Sequence, residues 1–539
     1  MSDDMKHECA VAMAVLRKPP SAAGDYGGTK LSLLLEKQHN RGQDGAGAAI
    51  LSAKPAPGSP PFQMFKSASS TPLADILGMI GRREAVPARI FLGHLRYATF
   101  GRNDVAFCHP FVHESSELAH TLLLAGNFNL TNAATLFADY SRHGSFPTSK
   151  SDGYLVTELV AHELERGADV AAALRTALEN ADGAWTLCGA TGDGWAFATR
   201  DPHGIRPGFC YVSDEVVAVA SERPAIQAAF DVSPEDVKEI PPGGTLVVSP
   251  DGEVRMAESI SSVKTTPRPC SFERIYFSRA NDRDIHRERK ALGAELLPGI
   301  LKAAEAPLES IFFSYIPNSA RIAFHGLLER LFEEYGKIRF GEIAVKDAKF
   351  RTFIADAAAR REFYKHVYDV TYGLVGAGDT LVVLDDSIVR GNTMKNAILP
   401  MLDRLGPKRI VIASSAPPIR YPDCYGIDMS TLGELVAFRA LVNLLGSDAV
   451  RELRQTPLHE LYARFTDAEH NAEIARLLTP PGMKAEVAVV YQTVAGLRKC
   501  LGGNIGDWYF TGDYPTPGGY KVLYKALENY LEQKSERSY

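Results

Sequence analysis

Residues 380–395 read TLVVLDDSIVRGNTMK, a short apolar run that ends on two carboxylates and a stretch of small and hydroxyl-bearing residues. Leu381 to Leu384 predict a buried strand. Asp385 and Asp386 stand at its end, and the residues that follow predict a turn opening into a helix. Backbone N–H groups at a strand-to-helix turn form an anion nest, and the helix N-terminus adds positive potential. A phosphate would sit there. Paired carboxylates beside it suit a sugar diol and a divalent cation, because hard cations take oxygen ligands. A lone Asp-Asp pair belongs more often to an ordinary turn with two solvated aspartates; the full pattern outweighs that reading.

A second set of residues lies towards the N-terminus. Cys9 opens an apolar, strand-like run in KHECAVAMAVL. Downstream come QHNRGQDGAG (38–47), GHLRYATFG (93–101), AGNFNLTN (125–132), SDGYLVTEL (151–159), RDPHGIRP (200–207), ASERPA (220–225) and PPGG (241–244). Amide hydrolysis needs a nucleophile, a base, an oxyanion site and a substrate clamp. A cysteine at a chain start has its own α-amine as base, with an unperturbed pKa of roughly 7.7–8.0. Taken alone, Cys9 would be a buried small hydrophobe, Arg96 a surface ion-pair member and Asn127 a turn residue. Ser151 or Asp152 would be the N-cap of a helix with Leu155, Val156, Leu159 and Val160 on one face.

In this order the N-terminal segments resemble class II glutamine amidotransferases, whose nucleophile is an N-terminal cysteine. Residues 380–395 resemble the diphosphoribosyl-binding signature of type I phosphoribosyltransferases. Together they resemble the amidophosphoribosyltransferase family over nearly the whole chain, most strongly from Cys9 to Glu434. The resemblance implies Cys9 as nucleophile and Asn127 as oxyanion donor. It implies Arg96 on the glutamine α-carboxylate, bound bidentately, and Asp152 on its α-ammonium, with Arg41, Gly42 and Phe128 completing the pocket. For phosphoribosyl pyrophosphate it implies Arg351, Asp385, Asp386, Ser387, Ile388, Val389, Arg390, Gly391, Asn392 and Thr393. One Mg²⁺ per subunit is expected on Ser319, Asp385 and Asp386. Removal of Met1 to Glu8 before activity is also implied; five of those eight residues are charged or histidine and none starts an apolar pattern.

Several motifs depart from the family pattern. Ala10 follows the nucleophile where Gly is usual, and Gly126 and Phe128 replace the His and Gly of HNGNLTN. A Phe at a position needing φ > 0 would be strained. PNSAR (317–321) has Asn318 for the usual Asp, and KFRTFI (349–354) has Phe350 for Gly; Arg360, Arg361 and Lys365 continue a basic loop. CSFERIYFSR (270–279) matches the junction of the two halves, but RANDRDIH follows where RPDS is usual. SSAPPIRYPDCYGIDMSTLGEL (414–435) matches a segment near the 5′-phosphate and inhibitor sites. Some relatives carry a [4Fe–4S] cluster on four cysteines. Cys270 matches one, Cys424 lies one position from another, and Gly506 and Tyr509 stand at the remaining two, so no cluster is expected.

At 539 residues the chain needs two or three domains. Apolar content of 45% and charged content of 23% are ordinary globular values. A net charge of −6 argues against general nucleic-acid binding. No apolar run reaches the roughly 18 residues of a membrane helix, and MSDDMKHE is not a signal sequence, so a cytoplasmic protein is expected. Seven cysteines without a C-x-x-C pair argue against a zinc site of common spacing. The expected organisation is a propeptide (1–8), a four-layer αββα Ntn-hydrolase domain (9–259), a parallel-sheet phosphoribosyltransferase domain (270–450) and a helical C-terminal extension (451–539). The expected partners are glutamine, phosphoribosyl pyrophosphate and purine-nucleotide inhibitors, within a homodimer or homotetramer. The expected reaction is 5-phosphoribosylamine synthesis, the first committed step of purine synthesis. The rival from another class is a catalytically weakened, phosphoribosyl-pyrophosphate-sensing regulator.

Overall fold

The computed structural model describes residues 8–18, 25–53, 58, 60–84, 86–98, 104–142, 146–257, 265–346, 368–427 and 429–534. Two antiparallel sheets, of seven and six strands, stack in the N-terminal half. Strand Ala10–Leu16 lies centrally in the first, between Ala88–Arg96 and Val216–Ala220. Leu122–Leu130 pairs with Gly183–Thr191 in the second. Period-two alternation divides each strand between two layers. Val11, Met13 and Val15 meet Leu123, Ala125 and Cys188 between the sheets. Ala10, Ala12 and Ala14 face outward onto Leu31, Leu34 and Leu35 of helix Tyr26–Glu36. On the other side, helices Asp152–Glu165 and Val170–Leu178 cover Leu122, Leu124 and Leu187. The result is the αββα layering.

The second half carries a five-stranded parallel sheet, ordered Arg339–Phe340, Ile311–Tyr315, Thr380–Asp385, Arg409–Ser414, Glu486–Tyr491. Its apolar runs are buried on both faces, as crossover helices require. Leu381 and Val383 pack into one core, Val382 and Leu384 into another. Each such side chain contributes about 1.5–3 kcal/mol, so the strand end bearing Asp385 is firmly anchored. The stretch after 450 is helical, ending in Pro517–Leu531, except that Glu486–Tyr491 supplies the last strand of the parallel sheet. That six-residue run is too short for its periodicity to separate strand from buried helix.

A further core joins the halves. Ile205, Cys270, Phe272, Tyr425, Trp508 and Tyr509 belong to it, and all are at most 2% exposed. Across this seam Asn129 Nδ2 donates to Cys424 O at 2.7 Å and Thr516 Oγ1 donates to Asp182 Oδ1 at 2.6 Å. Among the described residues no helix is long and apolar enough to cross a membrane.

Candidate active site

Cys9 precedes the first strand, and strand alternation puts it on the inter-sheet face with Val11. The Tyr97 backbone N–H donates to its Sγ at 3.2 Å. Burial pushes the thiol up to about 11, against the opposing pull of the Tyr97 backbone and of Arg96 and Arg206. Ala10, opposite Leu95, is fully buried against the helix layer, where a methyl is accommodated.

Asn127 continues the inward face of Leu123 and Ala125. It is 2% exposed, and among the described residues its Nδ2 has no hydrogen-bond partner. A buried amide donor without a partner costs about 1–3 kcal/mol, so it is a donor held for something else. The strand around it is gripped by two stacked imidazoles, His94 and His109, with ring centroids 4.1 Å apart. Gly126 N donates to His109 Nδ1 at 3.2 Å, and Gly126 O lies 3.0 Å from His94 Nε2. Burial lowers both histidines, His94 to about 3. Both are therefore neutral, with the His94 proton on Nε2 and the His109 Nδ1 bare. Phe128 lies in regular strand opposite Trp185, its φ outside the left-handed region, so the strain expected from replacing Gly is absent. Its ring meets His109 edge-on at 5.9 Å.

Arg96 ends the strand beside Cys9 and is 6% exposed, its guanidinium 5.8 Å from the Phe107 ring centroid. Asp152 is the first residue of helix Asp152–Glu165, capped by Ser151, whose Oγ accepts from Gly153 N at 3.2 Å. Gly153 N also donates to Asp152 Oδ1 at 2.9 Å. Burial raises the Asp152 carboxyl to about 6, with Gly153 N–H and Arg96 opposing the shift. Arg96 thus acts electrostatically on both the Cys9 thiol and the Asp152 carboxyl.

Arg41 takes a different place from the one expected on substrate. Its side chain is fully buried, with Nε donating to Glu222 at 2.6 Å, Nη1 to Glu273 at 3.1 Å, and Nη2 to Glu273 at 2.5 Å and Ser278 Oγ at 3.2 Å. Its donors are committed to the junction between the halves. Glu8 is packed into the structure although residues 1–8 start no apolar pattern. It is 2% exposed and ion-paired with Arg206 and, at 3.7 Å, with Arg41. Arg206 is placed by its loop: Asp201 accepts from His203, Ile205 and Arg206 backbone N–H groups at 3.0, 2.9 and 3.1 Å. Glu8's partners Arg41 and Arg206 come from separate segments and leave no local sequence pattern.

The second site is a cavity of about 720 Å³ at the C-terminal ends of the parallel strands. It is lined by Ser319, by Asn318 and Arg321 of the same turn, and by residues 385–393 except Asn392, which is exposed. Ile388 and Val389 also plug the cores beneath, so their backbone presents the loop. Gly391 has φ +79°, and a Cβ there would lie 2.2 Å from Leu478 Cδ2, so only glycine closes this turn. Helix 394–403 follows, its first turn wound as a π-helix. Arg390 Nε donates to Glu434 at 2.7 Å.

Burial, then repulsion by Asp386, hold the Asp385 carboxyl well above the usual range. Burial raises Asp386 too, with Ser319, Ser387 and Arg289 pulling back. Arg289, from helix Arg283–Glu295, is a contributor that sequence reading missed; it is 4% exposed and donates to Arg274 O and Ser278 O, both at 2.8 Å. Two oxygen-rich carboxyls that ionise only at a cost fit a hard dication. Arg351, Phe350, Arg360, Arg361 and Lys365 lie outside the described residues.

The N-terminal half reaches into this cavity. His39 and Asn40 line it, as do Arg279 and Asn281 of the altered junction. Two residues after Asn40, Gly42 N donates at 2.9 Å to the carbonyl oxygen of Glu8, the residue before Cys9. One four-residue segment therefore touches both sites.

At the cluster-matching positions, Cys270 Sγ lies 3.2 Å from Tyr509 Oη, with Phe272 packed edge-on against Tyr509 at 4.8 Å. A Cβ on Gly506 would lie 2.2 Å from Trp508 Cζ3. Aromatic rings fill this region, and the residues present do not fit a four-thiolate cluster.

Residues 109–228 match the family model described as a glutamine amidotransferase domain. Amidophosphoribosyltransferase of Bacillus subtilis is 30% identical over 445 residues, 81% of this chain and 82% of that protein. That of Methanocaldococcus jannaschii is 30% identical, covering 75% of this chain and 83% of its own. The solved structure of the B. subtilis glutamine phosphoribosylpyrophosphate amidotransferase, complexed with ADP and GMP, superposes with a TM-score of 0.70 at 26% identity, over 94% of this chain and 97% of that one.

Proposed function

The chain belongs to the amidophosphoribosyltransferase family, and on that premise we propose that it makes 5-phosphoribosylamine from phosphoribosyl pyrophosphate, glutamine and water. Cys9 Sγ attacks the glutamine carboxamide carbon; ammonia leaves, and water hydrolyses the thioester to glutamate. A raised thiol needs a base at hand, which the α-amine of Cys9 provides once the preceding residues are gone. Asn127 Nδ2 faces the developing oxyanion, where one such donor contributes about 10²–10³ in kcat. Arg96 and Asp152 take the two charges of the amino-acid end. Ammonia then attacks C1 of phosphoribosyl pyrophosphate, and pyrophosphate leaves. The 385–393 loop and the helix N-terminus hold the phosphates, and Asp385 and Asp386 hold the ribose diol. Ser319, Asp385 and Asp386 would hold Mg²⁺, which supplies charge neutralisation of the leaving pyrophosphate when bound.

The carrying observation is the shared segment from His39 to Gly42, which lines the acceptor cavity at one end and contacts the residue before the nucleophile at the other. In this reading ammonia passes from Cys9 to its acceptor by an internal route along this segment, out of the water in which it would be protonated. Purine nucleotides are the proposed inhibitors, in keeping with the nucleotides bound in the B. subtilis relative. The test is pyrophosphate release with glutamine and, separately, with ammonium. Both donors should support it; release with neither would end the proposal.

A further inference from the structure

The C-terminal stretch sends the strand Glu486–Tyr491 into the parallel sheet, and the last residue of that strand stands level with Asp385. Asp385 pairs with Ser414, and Ser414 pairs with Tyr491, so aspartate and tyrosine flank one intervening strand. Alternation puts all three on one face. Leu381 and Val383, Ile410 and Ile412, and Val489 and Tyr491 belong to a single core cluster. Strands about 4.7–4.9 Å apart set the two backbones roughly 10 Å apart, a span that a tyrosine and an aspartate side chain close between them. Ile316, Ile388, Met394 and Ile398 belong to the same cluster and also line the phosphoribosyl cavity, so this face of the sheet opens into the site.

Tyr491 is 7% exposed, and among the described residues its Oη has no hydrogen-bond partner. Burying a hydroxyl without a partner is costly, and phenylalanine would fill the same core without that cost. The hydroxyl on the strand between is already used: Ser414 Oγ donates to Ala416 O at 2.9 Å. Burial, and after it Asp385, raise the Tyr491 hydroxyl above its usual range. The two carboxyls are unequally supplied. Ser319, Ser387 and Arg289 all pull on Asp386. Asp385 Oδ1 accepts from the Asp386 backbone N–H at 2.9 Å, and among the described residues no side chain donates to it. An acceptor short of a donor and a buried donor without an acceptor thus meet at one edge of the sheet.

We propose that Tyr491 is a positioning residue of the phosphoribosyl site: its hydroxyl donates to the Asp385 carboxylate as that carboxylate turns to the ribose diol, and holds it there. The inference rests on the proposed phosphoribosyl pyrophosphate site and deepens it, giving the strand after residue 450 a part in sugar recognition. No bond is made or broken; the tyrosine acts through the aspartate.

Tyr491→Phe removes the one oxygen atom and keeps the ring, so Tm should hold or rise. Binding is read by calorimetry with Mg²⁺ on the full chain, using two probes. Ribose 5-phosphate presents the diol, and inorganic phosphate offers the loop only an anion. A hydrogen bond to a charged group is strong enough that ribose 5-phosphate should bind roughly tenfold to a hundredfold more weakly to the variant. Inorganic phosphate should bind as it does to wild type. KM for phosphoribosyl pyrophosphate in ammonium-dependent synthesis should rise by a similar factor. Ribose 5-phosphate binding within twofold of wild type would overturn the proposal. So would equal weakening of both probes, or a weakening that comes with a large fall in Tm, because either makes Tyr491 a fold-holding residue. Wild-type protein that bound neither probe nor phosphoribosyl pyrophosphate would bring down the functional reading and this assignment with it.

Discussion

Replacing Asn127 by Val should separate activity from stability. Asn127 stands mid-strand, 2% exposed, with an Nδ2 that has no partner among the described residues. Removing that donor deletes an unmet polar group worth about 1–3 kcal/mol, and a β-branched residue suits a strand. A gain of that size moves Tm by roughly 2–4 °C per kcal/mol in a domain of this class, so Tm should hold or rise by a few degrees. The same substitution removes one oxyanion donor, so glutamine-dependent kcat should fall about 10²–10³-fold, or about 2.7–4 kcal/mol of barrier. Glutaminase kinetics, ammonium-dependent synthesis and thermal melting on one preparation decide it. Ammonium-dependent synthesis should be untouched. A kcat within tenfold of wild type, or a loss that comes with a large drop in Tm, would refute the assignment.

Three further outcomes follow from the two sites. Asp385→Asn with Asp386→Asn should abolish phosphoribosyl pyrophosphate binding in calorimetry with Mg²⁺, with either nitrogen donor; unchanged binding would remove both residues from the site. Asp152 is raised to about 6 and must be ionised to hold an ammonium group, so kcat/KM for glutamine should fall as pH drops through about 6; a profile flat from pH 7 to 5 would exclude it. Anaerobically purified protein should contain no stoichiometric iron or sulfide, since Tyr509 Oη sits 3.2 Å from Cys270 Sγ; about four irons per chain would contradict this.

What could be read from sequence was what local pattern encodes. The four-residue apolar run before Asp385 became the strand Thr380–Asp385, and its loop lines the cavity because a short strand followed by small residues leaves few conformations. Ser151 and Asp152 were placed correctly at a helix start because capping is a one-turn effect. What escaped was long-range pairing. Glu8 lies in a stretch that starts no apolar pattern, yet its partners Arg41 and Arg206 arrive from separate segments. Arg41 matched a pocket motif, but three glutamates from distant segments claim it. Phe128 looked like a strained replacement for glycine, and the strand simply runs on through it. Arg289 falls in no motif of the sequence, and its burial on helix Arg283–Glu295 marks it out.

The central claim is that one chain houses two separable reactions, with Cys9 needed for only the first. Cys9→Ala is the most direct test, with pyrophosphate release measured on glutamine and on ammonium. The account predicts that glutamine-dependent synthesis disappears while ammonium-dependent synthesis stays near wild type, because only the nucleophile is lost. If both fall together, or if glutamine still serves, Cys9 is not the nucleophile and the division of labour between the two halves is wrong.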